Sequence, residues 1–190
     1  FFKTDVKDKF IKPKYEDVIK SDIDYDSDGL DDYTDILNGA KDFISKKPKY
    51  KSKYYDGGYP TDEYRVCTDI IWYALKNAGY DFKTLIDEDI KNNKDEYDED
   101  VGDTNIDFRR VRNIKVYLDR NALKLANDSD FNPGDIVVYK KHIAIVSDRV
   151  NSKNENYILH QHMYQAYEYD GLFKNEILGH YRWRLNDGKK

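Results

Sequence analysis

The chain carries one cysteine, Cys67, and four histidines, His142, His160, His162 and His180. A thiol attacks a carbonyl as its thiolate, so it needs a base or a field that favours the anion. Behind Cys67, the residues Ile70, Ile71, Ala74, Leu75 and Ala78 recur at helical spacing, and Gly79 stands where a helix stops. The spacing predicts a helix with Cys67 at or just before its first turn. Unpaired N–H groups there favour a thiolate and can hold an oxyanion. Asp69 acts against this, because its charge would raise the thiol pKa. The preceding Gly57-Gly58-Tyr59-Pro60 turn could let a substrate backbone come close. The competing reading is a buried core cysteine, since Cys67 lies three and four residues from Ile70 and Ile71.

His142 opens a stretch, Ile143 to Val146, that reads as a strand. Alternation puts it on one face with Ala144 and Val146, and the small Ala144 leaves room beside it. His160 and His162 share a face with Ile158 on the next strand. A helix-borne Cys, a strand-borne His and a third polar residue on the neighbouring strand form the layout of nucleophilic cysteine catalysis. Alternation leaves both His160 and His162 open as the third member. The plainer reading of His142 is a hydrogen-bonded strand histidine. A zinc hydrolase site of His142, His160 and His162 is a rival that leaves Cys67 without a role.

The segment Asp22 to Asp35 resembles an EF-hand-type calcium loop. Asp24, Asp26 and Asp28 take positions one, three and five, Gly29 the sharp turn at six, Asp32 nine and Asp35 twelve. It departs from the pattern in having Asp at twelve and Asp31 at position eight. The expectation is a structural Ca²⁺ and no cofactor for catalysis; the alternative is a solvated acidic loop that caps a helix.

These groups need elements to position them. The chain has 190 residues, enough for one sizeable core. Charges of both signs are scattered over 36% of the positions, the pattern of a solvated surface. A net charge of -5 argues against nucleic acid and against anionic lipid as partners. No run approaches the ~18 apolar residues of a membrane span. A lone cysteine excludes an internal disulfide. The first residue is Phe1, and the expectation is that a preceding segment was removed. Ile36, Leu37, Ala40, Phe43 and Ile44 predict a helix stopped by Pro48. Further helices are predicted around Phe82 to Ile90 and Val111 to Leu123, with a polar loop at 92–103. After Pro133-Gly134 the pattern turns to strands at 136–139, 143–146, 157–162 and 177–183. Helices followed by strands predict an α+β fold with helices packed on an antiparallel sheet. The domain reading is an acidic helical extension over 1–48 and a catalytic domain over 49–190.

Six segments taken together carry a resemblance. They are Asp56-Gly57-Gly58-Tyr59-Pro60, Val66-Cys67-Thr68-Asp69, Asn105-Ile106-Asp107-Phe108-Arg109-Arg110-Val111, Pro133-Gly134-Asp135-Ile136-Val137, His142-Ile143-Ala144-Ile145-Val146-Ser147-Asp148 and Gly179-His180-Tyr181-Arg182. In this order they resemble the bacterial family catalogued as domain of unknown function 1287, which is grouped with NlpC-type papain-like cysteine peptidases. The resemblance implies a papain-like fold, Cys67 as nucleophile, His142 as base and His160 as the third residue. Where the family has His-Asn, this chain has His160-Gln161. The resemblance also implies an oxyanion-binding Tyr about a dozen residues before the cysteine, which is Tyr55, with Tyr59 as the alternative. Arg109 and Arg110 are shared with the family. One of them reads as a clamp for a substrate carboxylate, and the alternative is an ion pair with nearby acids.

The function expected from all this is hydrolysis of an amide bond in bacterial cell-wall peptides by a secreted or envelope-bound monomer. A non-catalytic wall-binding module is the alternative from a different class. The acidic N-terminal arm could also act as an inhibitory lid.

Overall fold

The computed structural model describes residues 18–184. The lid reading concerns the N-terminal arm, residues 1–32, of which 1–17 lie outside the described residues. The elements are, in order, α1 (Asp32–Ser45), β1 (Lys49–Tyr50), β2 (Tyr64–Arg65), α2 (Asp69–Asn77), α3 (Phe82–Asn92), α4 (Val111–Asn121), β3 (Leu123–Leu125), β4 (Ile136–Tyr139), β5 (His142–Val150), β6 (Asn156–Gln161), β7 (Ala166–Tyr169) and β8 (Gly179–Arg182). Single 3-10 turns at Lys94–Glu96 and Asp107–Arg109 join α3 to α4.

The fold is α+β. Six strands form an antiparallel sheet in the order β3-β8-β4-β5-β6-β7, while β1 and β2 make a separate parallel pair. The helices cover one face of the sheet. Alternation along β5 decides which side chains meet them. Ile143 and Ile145 join Ile36, Ile70, Leu75 and Ile114 in the main core, and Ala144 and Val146 join Val137, Ile158 and Leu172 on the other face. Removing a fully buried side chain such as Leu75 to alanine should cost about 2–5 kcal/mol.

The sequence signals for α2 act as read. Gly79, at φ +82°, ends the helix; its N–H donates to the Lys76 carbonyl, and the Tyr80 N–H donates to Leu75. This is the paired C-terminal closure that a left-handed glycine allows. At the other end of α1, Asp31 accepts the Thr34 N–H as N-cap.

Four strands were not read from the sequence, among them β1 and β2, which have only two residues each. β3 has three residues directly after a helix, and β7 is a four-residue edge strand with no Gly or Pro before it. The division expected at residue 48 does not separate two cores. Ile36, Ala40 and Phe43 of α1 pack in the same cluster as Ile70 and Leu75 of α2. Among the described residues no helix is long and apolar enough to cross a membrane.

Candidate active site

The turn 66–69 fixes Cys67. The Val66 N–H donates to Asp69 Oδ2 at 2.7 Å and the Asp69 N–H returns to the Val66 carbonyl at 3.0 Å. This reciprocal closure resembles a capping box. Thr68 Oγ1 donates to the Arg109 carbonyl at 2.9 Å, tying the turn to the segment before α4. Cys67 therefore stands one residue ahead of the N-cap Thr68, partly exposed.

His142 begins β5, directly after the two-residue turn Lys140-Lys141 from β4. In the β5–β6 ladder Val146 faces Ile158 and Ile145 faces Leu159. Continued toward the N-terminal end of β5, this register sets His160 diagonal to His142 with Ala144 between, within reach of long side chains. The contact is direct: His142 Nε2 lies 2.8 Å from His160 Nδ1. Carried to its end, the same register would set His162, just past β6, directly opposite His142, so it is the packing of the His160 side chain and not register that gives His142 its partner. His160 is 4% exposed, stacked on Tyr169 with ring centroids 5.6 Å apart and edge-on to Tyr167 at 4.8 Å.

Cys67, His142, His160 and His162 all line one open cleft of about 540 Å³. Tyr50, Tyr139, Tyr167 and Tyr169 make its walls aromatic, and Lys141 and Lys174 are its cations. The Lys174 ammonium donates to the Tyr169 hydroxyl at 2.9 Å and sits over that ring.

Burial governs the electrostatics. It pushes the Cys67 thiol up to about 11, reinforced by the Asp69 charge and partly offset by the N–H groups of Thr68, Cys67 and Ile143. Burial also lowers His142 to about 4, helped by His162, and His160 to about 3, helped by His142 and His162. Near neutral pH the thiol and both imidazoles are uncharged. The thiolate expected from a helix N-terminus is not favoured here, because the desolvation cost outweighs the N–H groups.

Several expected site residues lie elsewhere. The Tyr55 hydroxyl donates to Asp62 at 2.8 Å, and the Tyr59 hydroxyl donates to Asp81 at 2.9 Å. Neither lines the cleft. The tyrosine that does so beside the thiol is Tyr50, whose pKa is raised by burial and by the Cys67 charge. It was missed because one Tyr among 18 carries no spacing signal. Neither Gly57 nor Gly58 lines the cleft. A Cβ on Gly58 would come within 2.9 Å of the Phe108 ring and 3.1 Å of Asn105 Cα, so that glycine permits packing within the domain.

Arg109 is not a substrate clamp. It is 5% exposed and binds Asp69 through both oxygens, Nε to Oδ1 at 2.8 Å and Nη2 to Oδ2 at 2.9 Å. Its remaining fork donates to the Lys53 carbonyl. Arg110 bonds Asp100 and is absent from the cleft lining. His180, the fourth histidine, bonds Asp135 and the Ala126 carbonyl, and Arg182 holds both oxygens of the same Asp135. These groups pin β8 to the 132–135 turn.

Among the described residues, the one group of metal-capable side chains that converges is Asp24, Asp26 and Asp28. His142, His160 and His162 share the cleft without converging on a common point, which gives the zinc reading no geometric support.

An α+β domain with a thiol and a histidine pair facing one cleft defines a class of candidate thiol-dependent site. The chain belongs to the family described as Domain of unknown function (DUF1287), which matches residues 37–183. It is similar to the uncharacterized protein YijF of Escherichia coli (strain K12), 32% identical over 164 residues that make up 78% of this chain and 80% of that protein. No solved structure matches the chain.

Proposed function

We propose that the chain is a cysteine hydrolase of amide bonds, of the papain-like NlpC type, acting in the cell envelope or outside the cell on cell-wall peptides. The observation that carries this reading is the 2.8 Å contact of His142 Nε2 with His160 Nδ1 in the cleft that also holds Cys67. The wall-peptide substrate rests on the resemblance of the six segments alone.

The His–His contact restricts the tautomers. His160 occupies Nε2 of His142, so Nδ1 is the nitrogen left to take the thiol proton. For Nδ1 to be free of hydrogen, Nε2 must carry it and donate to His160 Nδ1. His160 then bears its own proton at Nε2, a buried atom with no protein partner. His160 thereby holds His142 in the basic tautomer while remaining neutral.

The neutral resting pair supports general-base attack over a preformed ion pair. As Cys67 Sγ bonds the carbonyl carbon, its proton passes to His142 Nδ1. His142 then protonates the leaving amine, and water hydrolyses the thioester. The N–H groups of Cys67 and Thr68 are the candidate oxyanion donors, and Tyr50 replaces Tyr55 as the candidate hydroxyl. Lys141 and Lys174 suit a substrate that carries carboxylates.

The test is digestion of purified peptidoglycan and of its soluble peptides, read by mass spectrometry. New amine and carboxyl ends should form with the parent chain and be lost in Cys67→Ala and His142→Ala. The raised thiol pKa favours one other reading, a non-catalytic wall-binding module. Cosedimentation with wall that survives Cys67→Ala, without new ends from the parent chain, would establish that reading instead.

A further inference from the structure

The acidic loop has no part in this chemistry, and it poses a physical problem of its own. Oxygens of Asp24, Asp26 and Asp28 gather within 4.8 Å of one another. Asp35, on the first turn of α1, is 2% exposed, and its Oδ2 is buried without a hydrogen-bond partner. The charges that act on it are, in order, Asp28, Asp26, Asp32 and Asp24. A buried carboxylate oxygen with no donor is costly, and four acidic neighbours add repulsion. A hard cation among these groups would remove both costs at once.

We propose that Asp24, Asp26, Asp28 and Asp35 bind a calcium ion. Ca²⁺ accepts six to eight oxygen ligands in flexible geometry, so four side chains leave places for backbone carbonyls and water. Asp32, expected as a ligand from its loop position, has another task. Its Oδ1 accepts the Tyr25 N–H at 2.9 Å and its Oδ2 accepts the Tyr80 hydroxyl at 2.5 Å. It positions the loop against the end of α2. Tyr25 stacks on Tyr80 with centroids 4.2 Å apart, and a Cβ on Gly79 would meet Asp26 Cβ at 2.8 Å. The ion would therefore fasten the start of α1 to the C-terminal end of α2, the end of that helix opposite Cys67. Its role is to hold the two helices together, with no contact to the reacting groups.

The experiment uses the full chain freed of metal with EDTA and titrated with CaCl₂ by calorimetry and thermal melting. One ion per chain should bind, and the midpoint should rise by about 5–10 °C when calcium is a hundredfold above its Kd. Asp28→Asn, at an exposed loop position, should weaken binding at least tenfold, while its metal-free form melts no lower than the metal-free parent because a charge that repels Asp35 is gone. Asp35→Asn should lose the calcium shift, yet its metal-free form should melt above the metal-free parent because the orphan charge is gone. Absence of heat and of any shift up to about 10 mM calcium, beyond the weakest extracellular calcium modules, would overturn the proposal. An equal shift with Mg²⁺, or an undiminished shift in Asp28→Asn, would overturn it too.

Discussion

Asp69 and Arg109 form a buried bidentate ion pair directly beneath the turn that carries Cys67. The same carboxylate accepts the Val66 N–H and the Trp72 indole N–H, so every lone pair that matters has a donor. The pair fixes the turn, and its anionic half raises the thiol pKa. One residue thus positions the nucleophile and suppresses its ionisation.

The first expected outcome concerns that pair. Arg109→Ala leaves Asp69 charged and buried, and it should cost about 3–5 kcal/mol. Arg110→Ala, at a half-exposed ion pair with Asp100, should cost about 0–1 kcal/mol. Urea unfolding of both variants checks this, and equal costs would refute the structural role given to Arg109.

Alkylation of Cys67 by iodoacetamide, followed by mass between pH 5 and 10, should speed up toward alkaline pH. Its apparent pKa should lie above the ~8.5 of a free thiol. A plateau already reached near pH 6 would mean a thiolate–imidazolium pair, and the general-base scheme would then be wrong.

The tautomer of His142 can be seen directly. Nitrogen NMR at pH 7 should show hydrogen on Nε2 and none on Nδ1. In His160→Ala the preference should weaken and turnover should fall on the order of 10²-fold or more, as when a triad histidine loses its orienting partner. An unchanged tautomer in His160→Ala would remove His160 from the mechanism.

Tyr50→Phe and Tyr55→Phe separate the two oxyanion candidates. Tyr50→Phe should lower kcat with little change in KM, on the order of 10-fold or more, if its hydroxyl serves the transition state. Tyr55→Phe should leave kcat unchanged and act on stability alone, through the lost bond to Asp62. The reverse pattern would restore Tyr55.

Stability should also depend on pH through the histidine pair. Both imidazoles titrate lower in the folded chain, at about 4 and about 3, than the ~6.5 of an unfolded chain. The unfolded state binds more protons below pH 6.5, so the stability their neutral burial allows is present above that pH and lost as pH falls. Asp35, which burial raises to about 6, works in the opposite sense. The difference between the parent and a His142→Gln, His160→Gln double variant, from urea melts at pH 7.5 and 4.5, isolates the histidine part. A constant difference would show that the pair is not buried neutral.

Local pattern determined much of this molecule. The apolar stripe from Ile70 to Ala78 with Gly79 behind it specified α2, because a 3.6-residue period and a left-handed stop leave little else. Period-two alternation placed Ile143 and Ile145 on one face of β5 and Ala144 and Val146 on the other. The placement of Cys67 at a helix start and of His142 at a strand start followed from the same signals. What the sequence could not contain was distance across the fold. Whether His160 or His162 meets His142 depends on how the side chains pack at the end of the β5–β6 ladder, where the register faces His142 with His162 and the contact goes to His160. Whether Arg109 faces solvent or Asp69 depends on how the segment before α4 packs under the Cys67 turn. The thiol pKa depends on burial, which no spacing encodes. Tyr50 reaches the cleft because β1 pairs with β2 and lies near Gln165 beyond β6. Sequence periodicity fixes which side of an element a residue occupies, and only tertiary packing decides which partner, and how much water, it meets there.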